Sequence, residues 1–189
     1  MTLRNLFTVL LLCGSLSGCV SFWTPSLEQS WQGRFSVVAQ SQSNQQAYSG
    51  RFYLTHSDAP TTILDLKSSL GNTIARVTQT AQATSLQALG TQSQQARNVD
   101  ELMLQTFGFS VPIDGLQYWI DGETIPNQQA QTKPVNPPYQ EIVQNGWVIR
   151  YETFDSEGLP KRIKFLRAES PNSPSLSIVL LITERNHDS

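Results

Sequence analysis

Cys19 is the residue in this 189-residue chain whose type and surroundings most clearly indicate a chemical modification. It ends the run Leu16-Ser17-Gly18-Cys19, in which a leucine and two small residues precede a thiol. A thiolate is a nucleophile and can be alkylated, and small neighbours allow an extended backbone to enter a processing enzyme. The run therefore predicts a covalent modification at the sulfur of Cys19.

The segment before Cys19 has the pattern of an export signal. Arg4 gives the amino terminus positive charge, and residues 6–16 form an apolar stretch of about 11 residues, whereas a bilayer span needs roughly 20. With the run that follows, this segment resembles the bacterial lipobox, in which the thiol receives diacylglycerol, cleavage follows, and the new amino group is acylated. We predict that residues 1–18 are removed, although a buried or paired cysteine beside an ordinary cleavage site is the alternative.

The composition of the remaining chain argues against several kinds of function. It has 171 residues with 12 basic and 15 acidic side chains, which gives a formal charge of −3 and enough length for one domain with a sizeable core. Cys13 leaves with the signal, so no internal disulfide is expected. His56 and His187 are far apart and no metal-ligand spacing occurs, so we predict no metal site. A slightly acidic chain without a basic stripe also argues against nucleic acid as a partner.

The sequence offers no constellation of residues for catalysis. It has no Gly-x-Ser-x-Gly, no phosphate-binding glycine loop and no His-Glu-x-x-His. The available carboxylates stand at predicted caps, turns or polar strand faces, where we expect structural roles: Asp65, Asp100, Asp114 and Asp121. Large apolar residues outnumber buried polar candidates. We therefore predict a non-enzyme that binds an apolar ligand.

From Trp31 onward, alternation of apolar and polar residues predicts strands. Before the middle of the chain they cover residues 33–40, 48–56, 61–68, 72–80 and 83–89, and after it residues 140–144, 146–153, 159–167 and 176–183. In the strand at 159–167, alternation puts Lys161, Ile163 and Phe165 on one face. The basic residues of that strand are divided between both faces, so they predict no one-sided patch.

The middle of the chain changes to helical spacing. One helix is predicted to have Asn98 or Asp100 as its cap and to run through Phe107. A second, short helix is predicted to start after Pro112, with Asp114 near its cap, and to end at Gly122. Residues 123–139 are rich in proline, glutamine and asparagine, which predicts a loop. Strands on both sides of two helices indicate one antiparallel sheet with helices on one face, and about nine strands require it to curl or partly close. The expected result is an apolar cavity.

Three segments are predicted for the whole chain. Residues 1–18 form the signal peptide, residues 19–30 form a lipidated tether, and residues 31–185 form one domain. Phe22 and Trp23 in the tether fit either a membrane interface, which favours aromatic rings, or a loosely packed linker.

Several groups of residues, taken in order, resemble one known family. They are Trp31-Gln32-Gly33-Arg34-Phe35, Gly50-Arg51-Phe52, Leu70-Gly71-Asn72-Thr73, Gly108 with Val111-Pro112-Ile113, Leu116-Gln117-Tyr118-Trp119-Ile120-Asp121-Gly122, and Gln144-Asn145-Gly146-Trp147 with Tyr151. In this order, from the lipobox to about residue 182, the chain resembles the outer-membrane lipoprotein receptor family LolB. The chain departs from the pattern at Leu54, where an aromatic residue is expected, and at Ile182-Thr183, where a tryptophan is expected.

The resemblance implies a fold, a function and partners. The fold is a mainly β, curled and unclosed antiparallel β-barrel, with a few helices covering an apolar cavity. The function is to accept acylated lipoproteins from the soluble periplasmic carrier LolA and to insert them into the inner leaflet of the outer membrane. Val20 and Ser21 follow Cys19 where an Asp would retain a lipoprotein in the inner membrane, so we expect lipid anchorage at the periplasmic face of the outer membrane. We expect a monomer that contacts outer-membrane phospholipid and has no cofactor beyond the diacylglycerol and N-acyl chain on Cys19.

The resemblance also assigns a role to Leu70. In the family an apolar side chain protrudes from a loop with a Pro-Leu-Gly motif and helps to put cargo into the membrane. Leu70 before Gly71 matches that side chain, whereas Ser69 stands in place of the proline and predicts a less rigid loop.

The candidate cavity lining consists of inward-facing apolar residues. They are Phe35, Val37, Phe52, Leu64, Leu66, Trp119, Trp147, Ile149, Phe165 and Ile178. The same alternation describes an ordinary core, so each residue fits either role. Burial of each CH₂ of an acyl chain contributes about 0.8 kcal/mol to its binding free energy. Each ~1.4 kcal/mol by which this free energy differs between carrier and receptor shifts the partition of the cargo tenfold.

Other functions fit part of this pattern. A soluble LolA-like carrier shares the architecture, but it would not carry a lipid on Cys19. A structural or assembly lipoprotein would bind a protein partner through a sheet edge. An enzyme acting on lipid or cell wall is the remaining alternative.

Overall fold

The computed structural model of the chain describes residues 28–57, 61–90, 92–96, 99–111, 113–171 and 173–187. The predicted signal peptide and lipidation site at Cys19 lie outside these residues, as does most of the predicted tether. Eleven strands and two helices are present within the described ranges. None of the helices described is long and apolar enough to cross a membrane.

The elements follow the order strands, helices, strands. The first group is β1 (Glu28–Gln40), β2 (Gln45–Ser57), β3 (Thr61–Lys67), β4 (Thr73–Gln79), β5 (Thr84–Ala88) and β6 (Gln94–Ala96). The helices are α1 (Val99–Phe107) and α2 (Ile113–Trp119). The second group is β7 (Ala130–Lys133), β8 (Glu141–Gln144), β9 (Trp147–Phe154), β10 (Pro160–Arg167) and β11 (Ser175–His187).

All eleven strands form one antiparallel sheet in the order β6-β5-β4-β3-β2-β1-β11-β10-β9-β8-β7. The first and last strands pair at its centre, so the sheet consists of two meanders joined along β1 and β11. Strands β6 and β7 form the two free edges, and the sheet is therefore not closed. This architecture confirms the predicted fold class.

The sheet curls around the helices. Along β1, Phe35, Val37 and Ala39 are buried while Arg34 and Ser36 are exposed, as a two-residue period requires. Leu86 of β5 and Ile142 of β8 come from opposite sides of the sheet, yet they belong to the same hydrophobic core. Ten strand spacings of about 4.8 Å would make a flat sheet roughly 50 Å wide. Only a curled sheet lets two short helices join these residues in one core.

Acidic residues and glycines mark the boundaries of the helices. Asp100 and Glu101 stand in the first turn of α1, where negative charge is favourable. Gly108 follows α1 with φ 76° and donates its N–H to the carbonyl of Leu104 at 3.0 Å, which ends the helix with a glycine cap. Helix α2 ends at Trp119, and the turn after it reaches Gly122, which has φ 81°. The second helix is thus shorter than the predicted one.

Several boundaries differ from the prediction. Strand β1 begins at Glu28, so residues 28–30 of the predicted tether belong to the sheet, and β11 extends beyond residue 185 to His187. Strands β6 and β7 were not predicted, because both are short, polar and on an edge, and β7 lies within the predicted loop 123–139. In β10 the register shifts between Pro160 and Ile163, which leaves Lys161 exposed and off the buried face of Ile163.

Candidate functional site: an apolar cavity under two helices

A cavity of about 40 Å³ lies between the concave face of the sheet and the helices. All its lining side chains are apolar. The sheet contributes Phe35, Val37, Phe52, Leu64, Leu66, Phe165, Ile178 and Leu180, and the helical segment contributes Met103, Val111 and Leu116. Such a surface offers shape and apolar contact to a ligand and no group for acid–base or nucleophilic chemistry.

Strand register brings the wall of the cavity together. Phe52 of β2 lies opposite Leu66 of β3, and Ile178 of β11 lies opposite both Val37 of β1 and Phe165 of β10. Residues directly opposite on antiparallel strands project to the same face. The wall therefore joins both meanders across the β1–β11 pair at the centre of the sheet.

The wall contains seven of the ten residues predicted as lining, but not Trp119, Trp147 or Ile149. Trp119 is fully buried and donates its indole N–H to the amide oxygen of Gln144 at 2.9 Å. Ile149 is fully buried opposite Ile142. The guanidinium of Arg167 lies 4.9 Å from the ring centre of Trp147. In this structure the three residues pack toward β8 and lie outside the wall of the cavity, although the ring centre of Trp119 lies 6.3 Å from that of the wall residue Phe165. A role for them in binding an acyl chain stays a prediction.

Four lining residues were missing from the predicted set. Met103, Val111 and Leu116 belong to the helices and their connection, and Leu180 belongs to β11. The helical spacing of the apolar residues between 99 and 120 was the available signal for the first three. It predicts a buried helix face, but it does not say whether that face covers a cavity or fills a core.

Gln144 fixes the end of α2 and the chain that follows. Its side-chain oxygen accepts the indole N–H of Trp119 at 2.9 Å and the backbone N–H of Ile125 at 3.0 Å. Its amide group donates to the carbonyl of Ile125 at 3.1 Å and to that of Gln128 at 3.3 Å. All four hydrogen-bonding positions of this buried amide are thus used. These bonds explain why a polar side chain is buried here, and Gln144 therefore has a structural role.

A second polar cluster holds the other side of the same helix end. The Asp121 carboxylate accepts the indole N–H of Trp31 at 2.8 Å and pairs with Arg185 at 3.2 Å. Arg185 also pairs with Asp155 at 3.1 Å and donates to the carbonyl of Ile120 at 3.2 Å and to that of Pro160. The turn after α2 is therefore attached to β1, to β11 and to the β9–β10 connection.

Tyr151 completes this support from β9. Its hydroxyl donates to the carbonyl of Trp119 at 2.9 Å. Burial raises the pKa of this hydroxyl well above its ordinary value, and the Asp121 carboxylate raises that pKa further. The phenol therefore stays a neutral donor at the end of α2.

Arg167 ties the connection between the helices to the sheet. Its guanidinium donates to the hydroxyl of Ser110 at 3.4 Å and to that of Ser173 at 2.7 Å. Burial lowers the pKa of this guanidinium, while Asp100 in the first turn of α1 raises it. The cation thus faces both α1 and the segment that leads to α2.

Leu70 stands at the tip of the turn between β3 and β4, with 88% of its surface exposed. The N–H of Ser68 donates to the carbonyl of Asn72 at 2.8 Å, and the N–H of Gly71 donates to the carbonyl of Ser68 at 2.9 Å. The Ser68 hydroxyl accepts from the N–H of Asn72 at 3.2 Å. Gly71 has φ 87°, a conformation that favours glycine. This turn is well closed although Ser69 occupies the position of the expected proline.

Over the ranges that the structure describes, no group of three or more His, Cys, Asp or Glu residues could hold a metal ion.

Comparison with known proteins gives a consistent family assignment. The family described as "Outer membrane lipoprotein LolB" matches residues 28–184. The Outer-membrane lipoprotein LolB of Cupriavidus metallidurans is 33% identical over 134 residues, and the match covers 66% of this chain and 65% of that protein, just under two thirds. The LolB of Bordetella pertussis is 30% identical over 188 residues, covering 94% of this chain and 92% of the relative.

Among solved structures, a LolA superfamily protein from Nitrosomonas europaea aligns with a TM-score of 0.45 and 10% identity, over 85% of this chain and 86% of that one. The assignment depends instead on the sequence match, which extends from the first residue of β1 almost to the end of β11. This chain belongs to the LolB family of outer membrane lipoproteins.

Proposed function

We propose that this chain is an outer-membrane-anchored receptor that takes acylated lipoproteins from the periplasmic carrier LolA. It buries their acyl chains in the cavity under the helices and releases them into the inner leaflet of the membrane. The observation that carries the proposal is the wholly apolar wall shared by sheet and helices. Family membership supports the same function.

The cavity has to enlarge before it takes an acyl chain. An apolar cavity of about 150 Å³ accommodates a single benzene, whereas this one measures about 40 Å³. The helices are the movable side of the wall, because α1 packs mainly on β5 and on the three-residue edge strand β6. Displacement of α1 exposes Met103 and the sheet side of the cavity to a ligand.

Transfer requires only a small difference in free energy. Each buried CH₂ contributes about 0.8 kcal/mol, so an acyl chain stays shielded throughout its passage through water. A receptor that buries the chain better than the carrier by ~1.4 kcal/mol shifts the partition tenfold. Better burial by a few methylene groups is therefore sufficient to draw cargo from the carrier.

The decisive experiment is transfer from loaded carrier to the purified full chain. LolA carrying an acylated lipoprotein is mixed with this protein, and the cargo that copurifies with each partner is measured. We expect the cargo to move to this chain. Cargo that stays on the carrier would contradict the proposed function and favour an assembly lipoprotein that binds a protein partner.

Photocrosslinking tests where the acyl chain lies. A photoreactive phenylalanine at Phe52, in the cavity wall, should crosslink to the acyl chain of the cargo. The next residue, Tyr53, projects from the opposite face of β2 beside Lys67 and provides the matched control. Equal crosslinking from both positions, or transfer without any crosslink at Phe52, would exclude the cavity as the binding site.

Anchoring through Cys19 is a separate part of the proposal. A radioactive fatty acid supplied to growing cells should label the chain, and Cys19→Ala should abolish the label and release the protein from the outer membrane. A wild-type chain without the radioactive fatty acid would favour the alternative that this protein is a soluble carrier.

A further inference from the structure

Two neighbouring turns of the sheet each present an exposed leucine. Leu70 lies between β3 and β4 with 88% of its surface exposed, and Leu89 follows β5 with 70% exposed. Turns usually carry glycine, asparagine, aspartate or serine at such positions. Two large apolar side chains on adjacent turns expose surface that the fold itself does not use.

The register places both leucines at the same end of the sheet. Ala88 of β5 lies opposite Ala75 of β4, and Leu89 continues the pair by donating its N–H to the carbonyl of Ile74 at 3.0 Å. Leu70 comes just before β4 begins. Neighbouring strands lie about 4.8 Å apart and each residue advances about 3.4 Å, so the two turns lie within roughly 10 to 15 Å of each other. We call this the leucine end.

Three basic residues form a row on the outer face of the sheet beside the leucine end. Arg34 of β1 lies opposite Arg51 of β2, which lies opposite Lys67 of β3. Lys67 directly precedes the turn that carries Leu70, and its ammonium group lies 4.9 Å from the ring centre of Tyr53. We call these three residues the basic row.

The basic row is not neutralised within the part of the chain that the structure describes. No salt bridge there includes its residues, whereas the nearby Arg76 pairs with Asp65 at 2.6 Å. Like charges directly opposite each other destabilise a sheet. An external anion would relieve this repulsion.

The two exposed leucines and the basic row fit contact with a lipid surface better than contact with a pocket on a protein partner. The leucines stand on separate projecting turns, so both can enter a fluid apolar phase without a complementary groove. Basic side chains beside such apolar anchors are favoured at membranes with anionic lipids, where the cations contact headgroups and the apolar groups enter the acyl region.

We propose that Leu89 enters the bilayer together with Leu70 and that Arg34, Arg51 and Lys67 bind the headgroups of anionic phospholipids. The leucine end then faces the membrane into which cargo is released. This inference rests on the proposed function, which anchors the chain through Cys19 and releases cargo into the membrane, and on the role in membrane insertion that the family resemblance implies for Leu70.

The predicted anchor permits this orientation. Strand β1 begins at Glu28, at the opposite end of the sheet and nine positions after Cys19. Nine fully extended residues reach about 30 Å at most, and the six residues from Glu28 to Arg34 advance about 20 Å along β1. The anchor and the basic row can therefore contact the same bilayer.

The test uses the full lipid-anchored chain in phosphatidylethanolamine vesicles with or without phosphatidylglycerol. A polarity-sensitive fluorophore is attached to Leu89→Cys, to Leu70→Cys or to Val135→Cys. Val135 is the matched control, because it is apolar, 81% exposed and located between β7 and β8 at the opposite end of the sheet. Under the proposed function Cys19 carries lipid and Cys13 has been removed, so the introduced thiol is the one that reacts.

We expect the fluorescence emission of the labels at residues 70 and 89 to shift to shorter wavelength in the presence of vesicles. Lipids with nitroxide on their acyl chains should quench this emission. The label at residue 135 should remain in water. If the label at residue 89 behaves like that at residue 135 while the label at residue 70 is quenched, the inference is wrong and the role of Leu70 stands. If neither leucine position is quenched, both membrane assignments fail, while transfer from the carrier still tests receptor function independently.

Charge removal tests the basic row. Arg34→Gln, Arg51→Gln and Lys67→Gln should each lower the ratio of quenched to unquenched label at residue 89 about fivefold in vesicles with phosphatidylglycerol. They should have little effect in vesicles without it. Lys161→Gln, an exposed charge on β10 near the opposite end, is the control. A signal that depends neither on phosphatidylglycerol nor on these three residues would overturn the assignment of the basic row.

Discussion

Individual polar side chains hold the helices in place over an otherwise apolar site. Gln144 of β8 and Tyr151 of β9 reach the end of α2, and Asp121 in the turn after it binds Arg185 of β11. Trp31 and Trp119, which stand out in the sequence as large aromatic residues, use their indole N–H groups in these contacts. Several residues that carry the family resemblance thus support the cover of the cavity, and others, such as Phe35 and Phe52, belong to its wall.

Leu70→Glu should slow delivery of cargo to the membrane without preventing its acceptance from the carrier. A carboxylate at the tip of the turn opposes entry into the apolar phase, while the cavity wall is unchanged. Separate measurements of carrier-to-receptor transfer and of cargo incorporation into vesicles distinguish the two steps. Val135→Glu, at a similarly exposed apolar position, should affect neither step. Normal delivery by the Leu70 variant would refute the role that we propose for this residue.

Tyr151 should make the protein sensitive to alkaline pH. Its folded-state pKa is raised by burial and by Asp121, so the folded chain holds the phenolic proton more tightly than the unfolded chain. The resulting stability is fully present below the ordinary pKa of about 10 and is lost as the pH rises toward the folded-state pKa.

Tyr151→Phe should remove that part of the alkaline loss of stability. At neutral pH it should lower the free energy of unfolding by about 1 kcal/mol, because the hydrogen bond to the carbonyl of Trp119 disappears. Urea denaturation of both proteins at neutral pH and at about pH 10.5 provides the comparison. The same pH dependence in both proteins would show that this phenol does not contribute to it.

At the scale of elements, close packing around two glycines allows the central strands to pair. A Cβ on Gly33 of β1 would overlap the carbonyl oxygen of Leu181 and lie 2.9 Å from the ring of Phe52. A Cβ on Gly50 of β2 would overlap the carbonyl of Lys67 and lie 3.2 Å from the ring of Phe35. The register of β1 and β11 shifts at Gly33. These glycines therefore leave room for the phenylalanine rings that line the cavity.

Gly33→Ala should lower the free energy of unfolding by about 1 to 3 kcal/mol, the usual cost of overpacking. The added methyl meets backbone, which cannot move aside as a flexible side chain would. Ser36→Ala on the exposed face of the same strand is the control and should change stability by less than about 0.5 kcal/mol. Chemical denaturation measures both variants, and an unchanged midpoint for the Gly33 variant would contradict the close approach.

At the scale of the whole molecule, two helices cover a small apolar cavity on the concave face of the sheet. The two meanders meet along β1 and β11, and the helices lie between them in sequence and against their shared concave face. The cover is attached through Arg167 at the helix connection and through Asp121 and Gln144 at the end of α2. Helix α1 packs mainly on the edge formed by β5 and β6, so we expect opening to begin there.

Binding of an acylated peptide should increase backbone hydrogen exchange in α1, because the 40 Å³ cavity cannot accept the chain without displacement of its cover. Exchange in β1 and β11 should stay slow, since these strands form the centre of the sheet. Mass spectrometry of exchange with acylated peptide and with the same peptide lacking the acyl chain gives the comparison. Unchanged exchange in α1 on acyl binding would mean that the ligand lies elsewhere.

Much of the sheet could be predicted from the sequence, because alternation reports directly which side of a strand faces away from water. It identified the strands that line the cavity and the two helices between them. Edge strands β6 and β7 lack an apolar face and therefore escaped prediction. Apolar alternation also could not separate Phe52, in the cavity wall, from Ile149, in packed core, because both are buried on the concave side.

The sequence by itself determined the family, the mainly β architecture and the predicted lipid attachment at Cys19, since these depend on local order and residue type. Only the tertiary structure decided which buried residues meet at the cavity, because that depends on register between strands distant in the chain, such as β1 and β11. It likewise placed Leu89 beside Leu70 and aligned Arg34, Arg51 and Lys67. The register of strand pairing decides which residues lie side by side in a sheet, and the positions of those residues along the chain do not reveal that register.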